Sequence, residues 1–107
     1  MYILIKRGDK LKFEWNSEKN TNNKNKHGIS FEDATLIFQG TIFTQTDSRK
    51  EYNEVREISI GELDSQVIIT VIHKDRNNYT RIISAHLANR KERKEYYAYC
   101  KKIRTRY

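Results

Sequence analysis

Between Thr41 and His86 the chain passes through four segments that read as β-strands, and this run constrains the fold most. The segments are Thr41 to Thr46, Glu54 to Ile60, Gln66 to Lys74 and Tyr79 to His86. The third holds Val67-Ile68-Ile69-Thr70-Val71-Ile72, rich in β-branched residues that suit a pleated surface. Leu63-Asp64-Ser65 and Asp75-Arg76-Asn77-Asn78 read as hairpin connections, asparagine being tolerant of positive φ. Four consecutive strands joined by short turns imply an antiparallel sheet. With only 36% hydrophobic residues in 107, every apolar strand face is needed for one modest core, so residues 1–107 read as a single domain.

The other elements must pack on that sheet. Residues 2 to 6 and 11 to 15 read as short strands around an Arg7-Gly8-Asp9-Lys10 turn, with Leu11, Phe13 and Trp15 on one side of the second. Ser30 with Asp33 approximates a capping box, and Phe31, Ala34 and Phe38 share a helical face. A last helix starts at Asn89, with Glu92 completing a second capping box and Tyr96, Cys100 and Ile103 as its apolar stripe. The whole is an α+β domain with an antiparallel sheet. Residues 16 to 27 contain five asparagines and no apolar residue, and by propensity alone they read as loop.

Charge narrows the partner. Lys and Arg number 21 against 14 Asp and Glu, a net of +7. Eight of the cations fall between Asn89 and Tyr107, where only Glu92 and Glu95 oppose them, so the surplus is sided. A sided basic patch favours a polyanion through counterion release; the competing reading is a solvated helix face. No apolar run approaches the roughly 18 residues of a membrane span, and no secretory leader opens the chain. The lone Cys100 cannot form an internal disulfide, and the expected setting is a reducing cytoplasm.

There is no phosphate-cradling glycine loop and no dinucleotide fingerprint. One cysteine and three scattered histidines make no zinc site, and the carboxylates lack the spacing of a magnesium nuclease, so neither metal nor cofactor is expected. Were the polyanion RNA and the chain to cut it without metal, the nucleophile would be the substrate's own 2′-hydroxyl. The chain must then move two protons and stabilise charge at phosphorus, tasks that suit histidine and arginine respectively. His73 ends the central strand. If positions 56, 58 and 60 pair with 71, 69 and 67, Arg56 shares its face at the mouth of a cleft; the alternative is that His73 caps the core edge by a hydrogen bond. Arg81 falls opposite His73 if the preceding loop has two or four residues, and alongside it with three or five. His86 ends the same strand. Arg90 and Arg93 lie a turn apart and suit phosphate contact; Lys26 and His27 suit RNA or, should residues 16 to 27 be helical, the dipole at that helix's C-terminus. Trp15 and the seven tyrosines serve either as core or as stacking surfaces, Tyr79 and Tyr107 being the more exposed candidates.

Five segments in order resemble the BrnT family of ribonuclease toxins from type II toxin–antitoxin pairs. They are Phe13-Glu14-Trp15-Asn16, Lys26 through Ala34, Arg56-Glu57-Ile58-Ser59-Ile60-Gly61, Arg81 through Ala88, and Asn89 through Tyr96. The resemblance runs from about Lys12 to about Tyr99. It implies a RelE-like fold, with helices packed on a small antiparallel sheet, and makes residues 16 to 27 a helix capped by Asn16 and ended by Gly28. It also implies RNA as substrate and neutralisation by a BrnA antitoxin carrying a ribbon-helix-helix part, operator DNA being bound only through that complex. Three features depart from the family pattern. Asn16 stands for the usual aspartate, His86 for an arginine, and the first ten residues precede the usual start, as an added edge strand would.

These readings meet in a metal-independent endoribonuclease with Arg56, His73, Arg81 and His86 as catalytic residues and Lys26, His27, Arg90 and Arg93 on RNA. The alternative is a subunit without catalysis in an autoregulatory repressor complex.

Overall fold

In the computed structural model, residues 2–7, 11–48, 54–76 and 78–104 are described. The turn expected over residues 8–10, Asn77 of the second hairpin and Tyr107 lie outside them. The chain runs β1 (Tyr2–Arg7), β2 (Leu11–Asn16), α1 (Ser17–His27) and α2 (Phe31–Ala34), which tightens into a 3-10 turn over Thr35–Gln39. Then follow β3 (Ile42–Asp47), β4 (Arg56–Asp64), β5 (Val67–Arg76), β6 (Tyr79–Leu87) and α3 (Arg90–Arg104). The strands form one sheet in the order β1-β2-β6-β5-β4-β3. Every pairing is antiparallel except β2 with β6, so the architecture is α+β with a mixed sheet and β1 as an added edge strand.

Each face of the sheet is covered by different helices. Phe13, Trp15, Ile69, Val71, Ile82 and Ala85 pack with Ile29, Phe31, Ala34 and Ile37 from the α1–α2 region. Ile60 and Ile68 pack on the other face with Ala88, Tyr96, Phe43 and Cys100, under α3. The Tyr96 hydroxyl donates to the Thr41 carbonyl at 3.0 Å, and burial pushes its pKa up. Asn89 and Glu92 exchange backbone-to-side-chain bonds, both 2.8 Å, closing the capping box that starts α3.

Helix α1 forms although its residues favour turns, because its asparagines bond outward. The Asn16 side chain caps the N–H groups of Glu18 and Lys19 at 3.0 and 3.1 Å. Asn20 accepts from the Phe31 N–H at 2.8 Å. Buried Asn23 donates to the Ile29 and Ala85 carbonyls, both at 2.9 Å, and accepts from the Ala85 N–H at 3.1 Å. β2 pairs with β6 only over residues 79–81, so Asn23 supplies the missing strand partner further along. Gly28 ends the helix at φ +75, where a side chain would be strained.

The hairpin between β4 and β5 corrects the expected register. Strand continues through Asp64, with a bulge between Glu62 and Asp64, and the turn shrinks to Ser65-Gln66 with Gln66 at φ +69. Ile60 therefore pairs with Thr70 rather than Val67, a slip of three residues. An odd slip exchanges the faces. Glu57, Ser59 and Gly61 share the face of His73, while Arg56, Ile58 and Ile60 lie on the α3 face.

Candidate active site

The corrected register creates a row of charges across the α3 face. Asp47 on β3 is paired with Arg56 on β4. Glu57 is paired with His73, so one step outward Arg56 stands level with Lys74. Lys74 is paired with Arg81 on β6, and Arg81 with Glu14 on β2. Three cations thus occupy adjacent strands, each about 5 Å from the next, with a carboxylate at either end. Arg76 pairs with Tyr79, leaving two residues between the strands, and this short connection sets Arg81 on the face opposite His73.

The row opens into a hollow of about 180 Å³ lined by Lys19, Glu54, Arg56, Lys74, Arg81 and Ile83. Four of those side chains are cationic and one is a carboxylate, so an anion is favoured inside. Glu54 accepts from Lys74 Nζ at 2.9 Å and from Arg56 Nε at 3.3 Å. The hydrogen bond from Lys74, then the charges of Lys74 and Arg56, hold its carboxyl below the ordinary 4.5. Glu54 is therefore ionised at neutral pH and anchors two cations that stand on neighbouring strands of the sheet. Neither Lys74, Glu54 nor Lys19 was anticipated from the sequence. The only available signal for Lys74 was the two-residue reading of the second hairpin, which makes it the cross-strand neighbour of Arg81.

His73 lies elsewhere. It is 2% exposed on the α1–α2 face, and both ring nitrogens are engaged. Nδ1 is 2.8 Å from Asp75 Oδ1 and Nε2 is 2.7 Å from Ser59 Oγ, which in turn is 2.7 Å from Thr44 Oγ1. The Phe38 ring meets the imidazole at 5.1 Å, nearly perpendicular. With Nδ1–H donated to the carboxylate, a neutral ring accepts from Ser59, which accepts from Thr44. The hydrogen bond from His73 holds Asp75 below its ordinary range. The order Asp75–His73–Ser59 has the connectivity of a serine-hydrolase relay, but Ser59 is 0% exposed and no substrate can reach its hydroxyl.

His86 stands at the far end of β6, about 13 to 16 Å from the cationic row by strand rise. Its Nε2 is 3.2 Å from both carboxylate oxygens of Glu92, and its ring lies 6.1 Å from that of His27. Lys26 adjoins His27 in the last turn of α1. Arg90 and Arg93 begin α3, where Arg93 Nη1 donates to the Ala88 carbonyl at 2.7 Å. The structure therefore brings Arg56 and Arg81 together, sets His86 with His27 at a second location, and buries His73 behind the sheet.

Trp15 is core at 1% exposure, while Lys12 sits over the Tyr79 ring at 5.5 Å. Among the described residues no three His, Cys, Asp or Glu side chains gather as a metal site needs, and no helix is long and apolar enough to cross a membrane.

Residues 15–92 match the family model described as the ribonuclease toxin, BrnT, of type II toxin–antitoxin systems. Among solved structures, the chain is similar to the crystal structure of the Brucella abortus ribonuclease toxin BrnT. The two are 28% identical, with a TM-score of 0.54, over 71% of this chain and 94% of that one. No curated protein matches the chain.

Proposed function

The chain belongs to the BrnT family, the ribonuclease toxins of type II toxin–antitoxin systems, and we propose that it cuts RNA without a metal ion in the hollow of Arg56, Lys74, Arg81 and Glu54. The observation that carries this reading is the level placement of three cations on neighbouring strands around one opening. A phosphodiester there has its charge opposed from three directions by groups already held in place, which is where electrostatic stabilisation is most effective.

The chemistry needs two proton movements. Glu54 accepts the proton of the 2′-hydroxyl as its oxygen bonds to phosphorus. The P–O5′ bond breaks, and Lys74 gives the departing oxygen a proton. Proton transfer from Glu54 to Lys74, joined at 2.9 Å, restores both groups. Arg56 and Arg81 hold the phosphoryl oxygens, and the products are a 2′,3′-cyclic phosphate and a 5′-hydroxyl. His73 and His86 take no part in these steps; His73 fastens the opposite face.

In the cell the partner is a cognate antitoxin of the BrnA kind, with a ribbon-helix-helix part, and operator DNA is bound only through that complex. The family's type II character supports the antitoxin partner. Antitoxin-free protein incubated with matched RNA and DNA in excess EDTA tests the activity. RNA should be cut and DNA spared. RNA left intact would favour the subunit without catalysis.

A further inference from the structure

The cationic row and the His86 cluster share a face for a reason that simple strand alternation does not supply. Arg81 and His86 are five residues apart, an odd interval that would normally point them to opposite faces. The β5–β6 register shifts between Ile72 and His73, so that Ile72 pairs with Ser84 while His73 pairs with Ile82. The extra residue on β6, Ile83, changes the phase. Ala85 turns into the α1–α2 core, and His86, paired with Thr70, joins the α3 face. Bulges commonly re-aim a side chain in this way beside a functional site.

Between the two locations the same face carries Ile58, Ile72 and Ser84, paired across β4, β5 and β6 and each half-buried. α3 covers the neighbouring Ile60 and Ile68 instead. A half-buried strip, apolar at Ile58 and Ile72, therefore joins a cationic hollow to a pair of imidazoles.

At the second location the geometry of the ring matters. Glu92 is held by the Asn89 N–H at 2.8 Å and meets His86 only through Nε2. Nδ1 of His86 has no hydrogen-bond partner among the described residues, and His27 faces the same ring from the end of α1. Glu92 is the charged side chain bonded to the pair; Arg90 and Arg93 lie in the same first turns of α3, and Lys26 precedes His27 in α1. A doubly protonated His86 would give Nε2–H to Glu92 and offer Nδ1–H outward, beside His27.

We propose that His27 and His86 form a second phosphate subsite, holding an RNA strand whose scissile phosphate lies at Arg56, Lys74 and Arg81. This inference rests on the RNA-cleaving reading above. At about 3.4 Å of rise per nucleotide in a stacked strand, the separation corresponds to about four to five nucleotides, with bases lying along Ile58 and Ile72. A dinucleotide reaches only the first location; an octanucleotide reaches both.

The test is binding of 2′-O-methylated oligoribonucleotides, which cannot attack themselves, to the full chain. Affinities for dinucleotide and octanucleotide are compared at several salt concentrations near pH 5.5, where an imidazole ordinarily carries its proton. The wild type should gain affinity with length. His27→Asn/His86→Asn should lose most of that gain and flatten the salt dependence by about 0.7 in slope for each phosphate contact removed. His86→Arg, which restores a fixed cation, should keep the gain. Equal binding of both lengths by the wild type, or a full gain in the double asparagine variant, overturns the second subsite and leaves the first reading standing. Failure of the wild type to bind either probe overturns both.

Discussion

His73 and Lys74 are consecutive in β5 and serve opposite faces of the sheet. The histidine is sealed at 2% exposure between Ser59, Asp75 and Phe38, while the lysine bonds Glu54 at 2.9 Å in the cationic hollow. The two neighbours therefore separate fold from chemistry, and substitutions at them should fail in different ways.

Replacing Lys74, Arg56 or Arg81 by alanine should lower RNA cleavage by about 100-fold or more each, the scale of losing one preorganised charge-stabilising group. Thermal unfolding of these variants should stay near that of the parent, because all three side chains border an open hollow. Initial rates on a labelled RNA, with unfolding curves alongside, check both halves.

His73→Ala should act on stability. It takes one of the two partners of the buried Ser59 hydroxyl, leaving Thr44, and opens space under Phe38. A lost hydrogen bond costs about 0.5–1.5 kcal/mol, and the void adds to that. The lowered midpoint of urea unfolding measures the sum.

Asp75 gives that loss a pH dependence. Its folded pKa lies below the ordinary 3.8, chiefly through the hydrogen bond from His73. A depressed carboxylate contributes stability that is complete above its unfolded value and disappears as pH falls through the folded one. Urea midpoints followed downward from pH 5 should fall in the wild type through this range, and less steeply in Asp75→Asn.

Gly61→Ala should destabilise the fold without touching the hollow. A Cβ at Gly61 would lie 2.8 Å from Ile37 Cβ and 3.1 Å from Ile42 Cγ2, where the 3-10 turn crosses β4. Overpacking of this kind costs about 1–3 kcal/mol, readable as a fall in unfolding midpoint with cleavage by the folded protein retained.

The sequence exposed the strands, the helix caps at Ser30 and Asn89 and the basic bias, because those signals are local. It exposed Arg56 and Arg81 as candidates but not their company. Which residues share a face depends on where the chain turns, and the β4–β5 connection closes at Ser65-Gln66, later than composition suggests. That difference of three positions moved Arg56 away from His73 and beside Lys74. The bulge at Ile83 is likewise invisible in a run such as Arg81-Ile82-Ile83-Ser84, yet it decides the side on which His86 emerges. Helix α1 was legible only by resemblance to a family, since Asn20 and Asn23 stabilise it through partners far along the chain.

A DNA strand carrying one ribonucleotide, treated with antitoxin-free protein in excess EDTA, tests the central claim most directly. The account predicts a single cut 3′ of that ribonucleotide, a 2′,3′-cyclic phosphate end, and loss of the cut in Arg56→Ala/Lys74→Ala/Arg81→Ala. Cutting at deoxyribonucleotides, or an undiminished cut by the triple variant, would contradict it.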